Sequence, residues 1–449
     1  MSAVAFSLQS GAARRESAVG AAAGIEKAAL FLVFAGISFH WISAYLLASV
    51  HIEMPEWVET RYYLYICIPA LLLSVRSYGR FAGFTKTPSM LACLTLMLGG
   101  LLWTAESEVG RGALKFAGFA VTIPLASLIV KNDYTRRCSQ WFVWGTVASL
   151  ALAVAIEGDG LAGYRFGTLI DVNGRTASNP NSVGAQAALA ACLLTLQFWR
   201  TTANRRSRLT NAASAAAILF LVYAVFLTAS RTAFIVLAGT LLWSLVLRCQ
   251  RSPTALLWGG MALLFSVSML WAADSLLADA NNDVYSQIRS RLFQDQEGTV
   301  GTLGSRTLIW QFAGGLLTED TRWVAGFGTG GVDKALGTFF ELGEYAIGRD
   351  GIRRLHSHST FIDWALMFGL VGLLVPAWLA IRAARTALRL DLEDDRVDRT
   401  SLLMFALLFS FGGVITTEVF WIAFGSLLWA SLSRTRTAPE PCRLGTQRL

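Results

Sequence analysis

Arg353-Arg354-Leu355-His356-Ser357-His358-Ser359-Thr360-Phe361 closes a long polar stretch and opens an apolar one. Upstream, residues 273–358 are rich in charges and small polar residues; downstream, 359–381 is an apolar run long enough to cross a bilayer. The boundary therefore reads as the place where an aqueous loop meets a membrane, and the chain as spans joined by loops. Two of the four histidines lie here, beside two arginines. That concentration of ionisable groups at a membrane boundary makes the stretch the expected reaction centre.

Composition agrees with this reading. The chain has 449 residues, 54% of them hydrophobic and only 15% charged, with mean hydropathy +0.50. These values exclude two or three ordinary soluble domains and indicate a polytopic membrane protein. The net charge of +8 does not call for nucleic acid. Most arginines stand in short clusters between apolar runs, as membrane topology requires. Up to Gly24 the N-terminus has no compact apolar core before a small-residue cleavage site, so it reads as a short cytoplasmic tail. Cys67, Cys93, Cys138, Cys192, Cys249 and Cys442 have no paired spacing for zinc or iron-sulfur, and none falls in the long loop.

About twelve runs approach the roughly 20 apolar residues that a span needs: 28–50, 58–75, 88–104, 112–130, 140–156, 182–199, 211–228, 232–247, 254–272, 359–381, 401–416 and 418–432. Thr416-Thr417-Glu418 is either the tip of a helical hairpin or a polar patch in one long helix, and two spans are expected. Basic clusters follow every second run: Arg76, Arg80 and Lys86; Lys131, Arg136 and Arg137; Arg200, Arg205, Arg206 and Arg208; Arg248 and Arg251; Arg382, Arg385 and Arg389; Arg434 and Arg436. Positive charge favours the cytoplasm, which puts both termini there. The expected fold is an all-α polytopic membrane protein of about 12 transmembrane helices with a large, partly helical periplasmic loop between helices 9 and 10. Its units are 1–272, 273–358 and 359–449. Two outer connections, 157–181 and 273–358, are too long to be passive links. In the second, Leu308, Ile309, Phe312, Leu316 and Leu317 recur at helical spacing behind Ser305, the expected N-cap.

Basic residues on the outer face run against the topological bias. They are Arg165, Arg175, Arg231, Arg289, Arg291, Arg306, Arg322, Lys334, Arg349, Arg353 and Arg354. In a long loop such residues ordinarily meet solvent or make structural pairs. Arg231 differs, because it stands at the outer mouth of two flanking spans, where a guanidinium needs an anion. Guanidinium forks suit phosphates, and several together suit a diphosphate that leaves with its charge neutralised. Outside the cytoplasm that group arrives on a polyprenyl lipid rather than on ATP. A histidine would then take the proton of an acceptor hydroxyl, and His356 and His358 both fit.

Each histidine could instead cap or pack at a helix start, and His-x-His can bind metal. No cysteine or acidic cluster completes a coordination set, so neither metal nor cofactor is expected. His40 and His51 read as structural. Gly326-Phe327-Gly328-Thr329-Gly330-Gly331 lacks the Lys-Ser/Thr ending of a phosphate loop and is expected to be a turn with close backbone approach. Asp363 and Glu418 are ionisable groups near or within spans. Asp363 is expected to pair with a neighbouring arginine.

Four blocks, in order, resemble the O-antigen ligase family and the related O-antigen polymerases. Asn179-Pro180-Asn181 with Gly184 is similar to the family's Asn-Pro-Asn-x-x-Gly entry to a span. Leu227-Thr228-Ala229-Ser230-Arg231-Thr232-Ala233 resembles its Thr-Gly-Ser-Arg-Gly-Ala block, with Ala229 and Thr232 replacing glycines. Arg306 with Ile309-Trp310, then Gly326-Phe327-Gly328-Thr329-Gly330, is similar to its Arg, Trp and Gly-x-Gly-x-Gly pattern. His358-Ser359-Thr360-Phe361-Ile362 through Gly369-Leu370-Val371-Gly372 resembles its His-Asn helix start, with Ser359 in place of asparagine. The likeness spans about 180–375.

The resemblance implies a metal-independent glycosyltransferase of the bacterial inner membrane, with its active site on the periplasmic face. It would transfer O-antigen from undecaprenyl diphosphate to lipid A-core oligosaccharide in lipopolysaccharide biosynthesis, with inversion. Arg231, Arg306 and His358 correspond to the family's functional positions, with His358 the base and the arginines binding diphosphate. His356, Arg353, Arg354, Arg175, Asn179 and Asn181 are expected to support substrate binding. Two other readings compete: a polymerase joining repeat units on the same carrier, and a lipid or polysaccharide transporter. The second would call for ionisable pairs or broken helices near mid-membrane.

Overall fold

The computed structural model describes residues 24–42, 88–157, 180–202, 208–228, 230–249, 303–319, 322–338, 357–375, 377–378, 381, 385, 394–412 and 421–433. All regular structure among them is helical. In chain order the helices are α1 (24–42), α2 (Pro88–Gly100), α3 (Val109–Lys131), α4 (Thr135–Glu157), α5 (Pro180–Thr202), α6 (Arg208–Leu227), α7 (Arg231–Cys249), α8 (Leu303–Thr318), α9 (Arg322–Ala325), α10 (Val332–Leu336), α11 (Thr360–Phe368), α12 (Asp394–Gly412) and α13 (Trp421–Ser433). Four of them, α3 to α6, contain stretches long and apolar enough to cross a membrane: Glu106–Val130, Thr135–Ala155, Asn181–Arg200 and Arg208–Leu227. The expected runs 58–75 and 254–272 lie outside the described residues, as do most of 157–181 and much of 273–358.

At the centre of the bundle is α5. Its apolar window is 78% buried, against 22% for α6, which leaves most of its surface to the surroundings. The α5 sequence explains this position. Pro180 occupies the first helical residue, where its missing N–H costs nothing. The run Ala185, Ala187, Ala188, Ala190 and Ala191 is then fully buried, and small side chains let neighbouring backbones approach closely. A polar knot fastens the same helix to two others. Gln186 Nε2 donates to Ser38 O of α1 at 2.8 Å and to Thr146 Oγ1 of α4 at 3.2 Å, while Ser38 Oγ donates to Phe142 O at 3.0 Å.

α7 packs along α12 in antiparallel fashion. Ser244 Oγ and Ser401 Oγ share a hydrogen bond of 2.6 Å, and Arg248 near the end of α7 meets Asp398 near the start of α12 at 3.6 Å. Arg200, near the end of α5, reaches the same carboxylate at 2.8 Å. The ends of α5 and α7 and the start of α12 therefore share one side of the bundle. Residues 181, 231 and 410 share the other.

α12 and α13 are two helices lying side by side. The rings of Phe405 and Phe424 meet edge to face at 5.2 Å. In one continuous helix, residues so far apart in sequence would stand about 28 Å from each other. The contact therefore excludes one continuous helix through both, while Glu418 itself lies outside the described residues.

Two expectations about boundaries change. The helix of the long loop begins at Leu303, so Ser305 falls inside its first turn rather than ahead of it. The apolar run 359–381 is interrupted: α11 stops at Phe368 and a 3-10 segment, Gly369–Leu373, follows. Gly369 at φ +64 makes the break, and its α-carbon rests against the carbonyls of Trp323 and Val324 of α9.

Candidate functional site

The four sequence blocks assemble as two pairs. In the first pair, Gly184 of α5 packs against the turn between α6 and α7. A β-carbon at Gly184 would stand 2.6 Å from Thr228 Oγ1, 3.0 Å from Ser230 Cβ and 3.2 Å from Ala233 Cβ, so only hydrogen fits there. Ser230 is the N-cap of α7: Ala233 N donates to its Oγ at 3.4 Å and Phe234 N to its carbonyl at 3.0 Å. This cap makes Arg231 the first residue of α7. Asn181 enters the same corner in the first turn of α5.

In the second pair, the glycine block lies across α11. Phe327 N donates to Leu366 O at 2.7 Å and Gly328 N to Met367 O at 3.0 Å. Gly328 is in the left-handed region at φ +81 and rests on Thr104 Oγ1 and Gly100 O, so two constraints exclude a side chain. Thr329 continues the attachment to the first half of the chain, with Oγ1 donating to Met97 O at 2.6 Å. The block is the turn of close backbone approach that its glycines suggested. Two of the basic residues expected on the outer face have local contacts: the Arg322 guanidinium covers the Phe327 ring at 4.8 Å, and Lys334 Nζ donates to Ser107 Oγ at 3.0 Å.

His358 is half-buried between two buried serines. Its φ of +54 is left-handed, a conformation that costs a non-glycine residue about 1 kcal/mol or more and persists only where the surroundings enforce it. The enforcing contacts are explicit. Ser357 Oγ donates to Ser359 O at 2.9 Å, and Ser359 N donates back to Ser357 Oγ at 3.2 Å. Trp310 Nε1 of α8 donates to Ser357 O at 2.9 Å. From the other side, Ser359 Oγ donates to Ser410 O of α12 at 3.3 Å. Position 306 lies one turn before Trp310 in α8. The structure thus joins α8 directly to the His358 turn, and α7 to it through α12.

Of the remaining expected site residues, His356, Arg353, Arg354, Asn179 and Arg175 lie outside the described residues. Asp363 was expected to pair with a neighbouring arginine, and among the described residues it meets a lysine. Its Oδ2 faces Lys115 Nζ of α3 at 3.9 Å. The same ammonium lies 3.6 Å from Asp333 Oδ2 of α10. Sequence reading missed Lys115 and Asp333 altogether. The signal was present, since Lys115 is a lone charge inside the apolar run 112–130, and such residues are functional candidates by default.

No curated protein matches the chain. A family model described as O-antigen ligase matches residues 215–377, a little over a third of the chain, from within α6 past the end of α11. It takes in Arg231, Arg306, the glycine block and His358. Over that segment the chain is similar to the O-antigen ligase family.

Proposed function

We propose that the protein is an O-antigen ligase: an inner-membrane glycosyltransferase that moves a polysaccharide from undecaprenyl diphosphate to a hydroxyl of lipid A-core oligosaccharide. The observation that carries this reading is the His358 turn. A histidine held in a left-handed conformation by hydrogen bonds from both sides, within the family-matched segment, is a base fixed in place rather than a side chain that merely packs.

In the proposed reaction the acceptor hydroxyl attacks the anomeric carbon of the lipid-linked sugar. The new C–O bond forms as the C–O bond to the diphosphate breaks, and the electron pair leaves with the undecaprenyl diphosphate. His358 takes the hydroxyl proton, and Arg231 and Arg306 neutralise the departing charge. Arg231 begins α7, where the helix dipole also favours an anion. Attack opposite the leaving group inverts the anomeric carbon. Asn181, Asn179, Arg175, Arg353, Arg354 and His356 complete the substrate site. The reaction faces the periplasm, in keeping with the basic residues Arg200 and Arg248 at the other end of the bundle.

The family also includes polymerases, and one experiment separates the readings. The purified protein in lipid nanodiscs receives a labelled polyprenyl-diphosphate glycan together with lipid A-core oligosaccharide. Label moving to the lipid A-core is the expected result. Growth of the lipid-linked chain instead would make the protein a polymerase, and proton-driven glycan flux in vesicles without transfer would make it a transporter.

A further inference from the structure

Lys115, Asp333 and Asp363 form a buried charged cluster between three elements that meet behind the His358 turn: α3, α10 and α11. The lysine side chain is 10% exposed and the carboxylates 4% and 1%. At 3.6 and 3.9 Å the contacts are ion pairs longer than hydrogen bonds. One ammonium thus lies between two carboxylates. Such an arrangement is a poor source of stability, because desolvation offsets much of the attraction and apolar residues of the same volume serve as well or better. Its best-attested use is to fix which of several packings the chain adopts.

The surroundings show what is being fixed. One turn further along α3, Phe119 meets the Trp364 ring of α11 at 6.4 Å, an apolar contact that would tolerate sliding. One turn back, Gly112 touches the backbone of Gly330, bringing α10 onto α3. The charges add direction to this apolar seam. Asp363 is tied by its own backbone to the turn, since Asp363 N donates to Ser359 O at 2.9 Å. Its Oδ1 lies 3.5 Å from Ser357 Oγ, the hydroxyl that closes the turn around His358.

We propose that Lys115 and Asp363, with Asp333, are positioning residues for the transfer reaction. Lys115 anchors the Asp363 carboxylate, and Asp363 sets the Ser357–Ser359 turn that aims His358. This deepens the reading of His358 as base and rests on it. Displacing a catalytic group by about 1 Å costs roughly a hundredfold in rate, so the cluster acts on turnover rather than on donor binding.

The test compares wild type with Lys115→Met, which removes the ammonium from between the carboxylates, and with the neutral triple variant Lys115→Met/Asp333→Asn/Asp363→Asn. Thermal melting, transfer kinetics and backbone hydrogen exchange over 355–368 are read in nanodiscs. The expected triple variant melts like wild type, loses about tenfold or more in kcat with little change in donor KM, and exchanges the Ser359 and Asp363 amides faster. A triple variant with wild-type kcat and exchange, one whose KM rises as much as its kcat falls, or one that does not fold would each overturn the proposal. Rapid transfer by a His358→Asn protein would sink the base assignment instead, and hydrogen exchange would still judge the clamp. An inactive His358→Asn protein beside a fully active triple variant would remove the clamp alone.

Discussion

The corner that carries Arg231 and the turn that carries His358 are held by opposite means. At the first, Gly184 meets Thr228, Ser230 and Ala233 by shape: small residues, close backbones and one serine cap. At the second, four side-chain hydrogen bonds and a buried ion cluster hold the Ser357–Ser359 turn in place. Shape packing suits an element that must only present a cation and a helix N-terminus, since an anion is attracted over several ångströms. A proton transfer needs hydrogen-bond reach, about 3 Å, and so a directional scaffold. The difference in construction follows the difference in tolerance.

Mutations can break that contrast. The largest effect on stability is expected from Gly184→Val. Its β-carbon alone would crowd Thr228 Oγ1, and overpacking of this kind costs about 1–3 kcal/mol. A melting curve should show the loss, with donor affinity falling as the α7 N-terminus shifts. A wild-type melting point would mean that the corner is loosely packed. Trp310→Phe comes next. It keeps the ring but removes the donor to Ser357 O, at a cost of about 1 kcal/mol. Here kcat should fall several-fold while donor KM holds; unchanged turnover would show that the turn does not depend on α8. The smallest effect should come from Asp398→Asn at the far end of the bundle, where the ion pairs with Arg200 and Arg248 are partly exposed. It should cost about 1 kcal/mol or less in stability and nothing in turnover per folded molecule. Lost turnover there would show that the two ends are coupled.

Much of this plan was legible in the sequence. Helix positions followed from apolar runs, because a bilayer leaves few alternatives for an apolar chain. The glycine block was recognisable as a turn because paired glycines mark positions where side chains do not fit. Other features could not be read. The break at Gly369 depends on α9 arriving against its backbone, and one partner of Asp363 is a lysine in α3, far away in sequence. Both are products of packing between distant segments, which hydropathy and local spacing do not encode. Ser357 carried no signal and Ser359 only the place of a family asparagine; their bonds to each other, Trp310 and Ser410 give them a role.

The central claim is that His358 is the base of the transfer. Asparagine tolerates the left-handed conformation that the turn imposes but cannot take the proton at neutral pH. A purified His358→Asn protein given lipid-linked donor and lipid A-core acceptor is predicted to bind the donor normally and to transfer about 10²–10⁴-fold more slowly. Transfer at the wild-type rate would contradict the account.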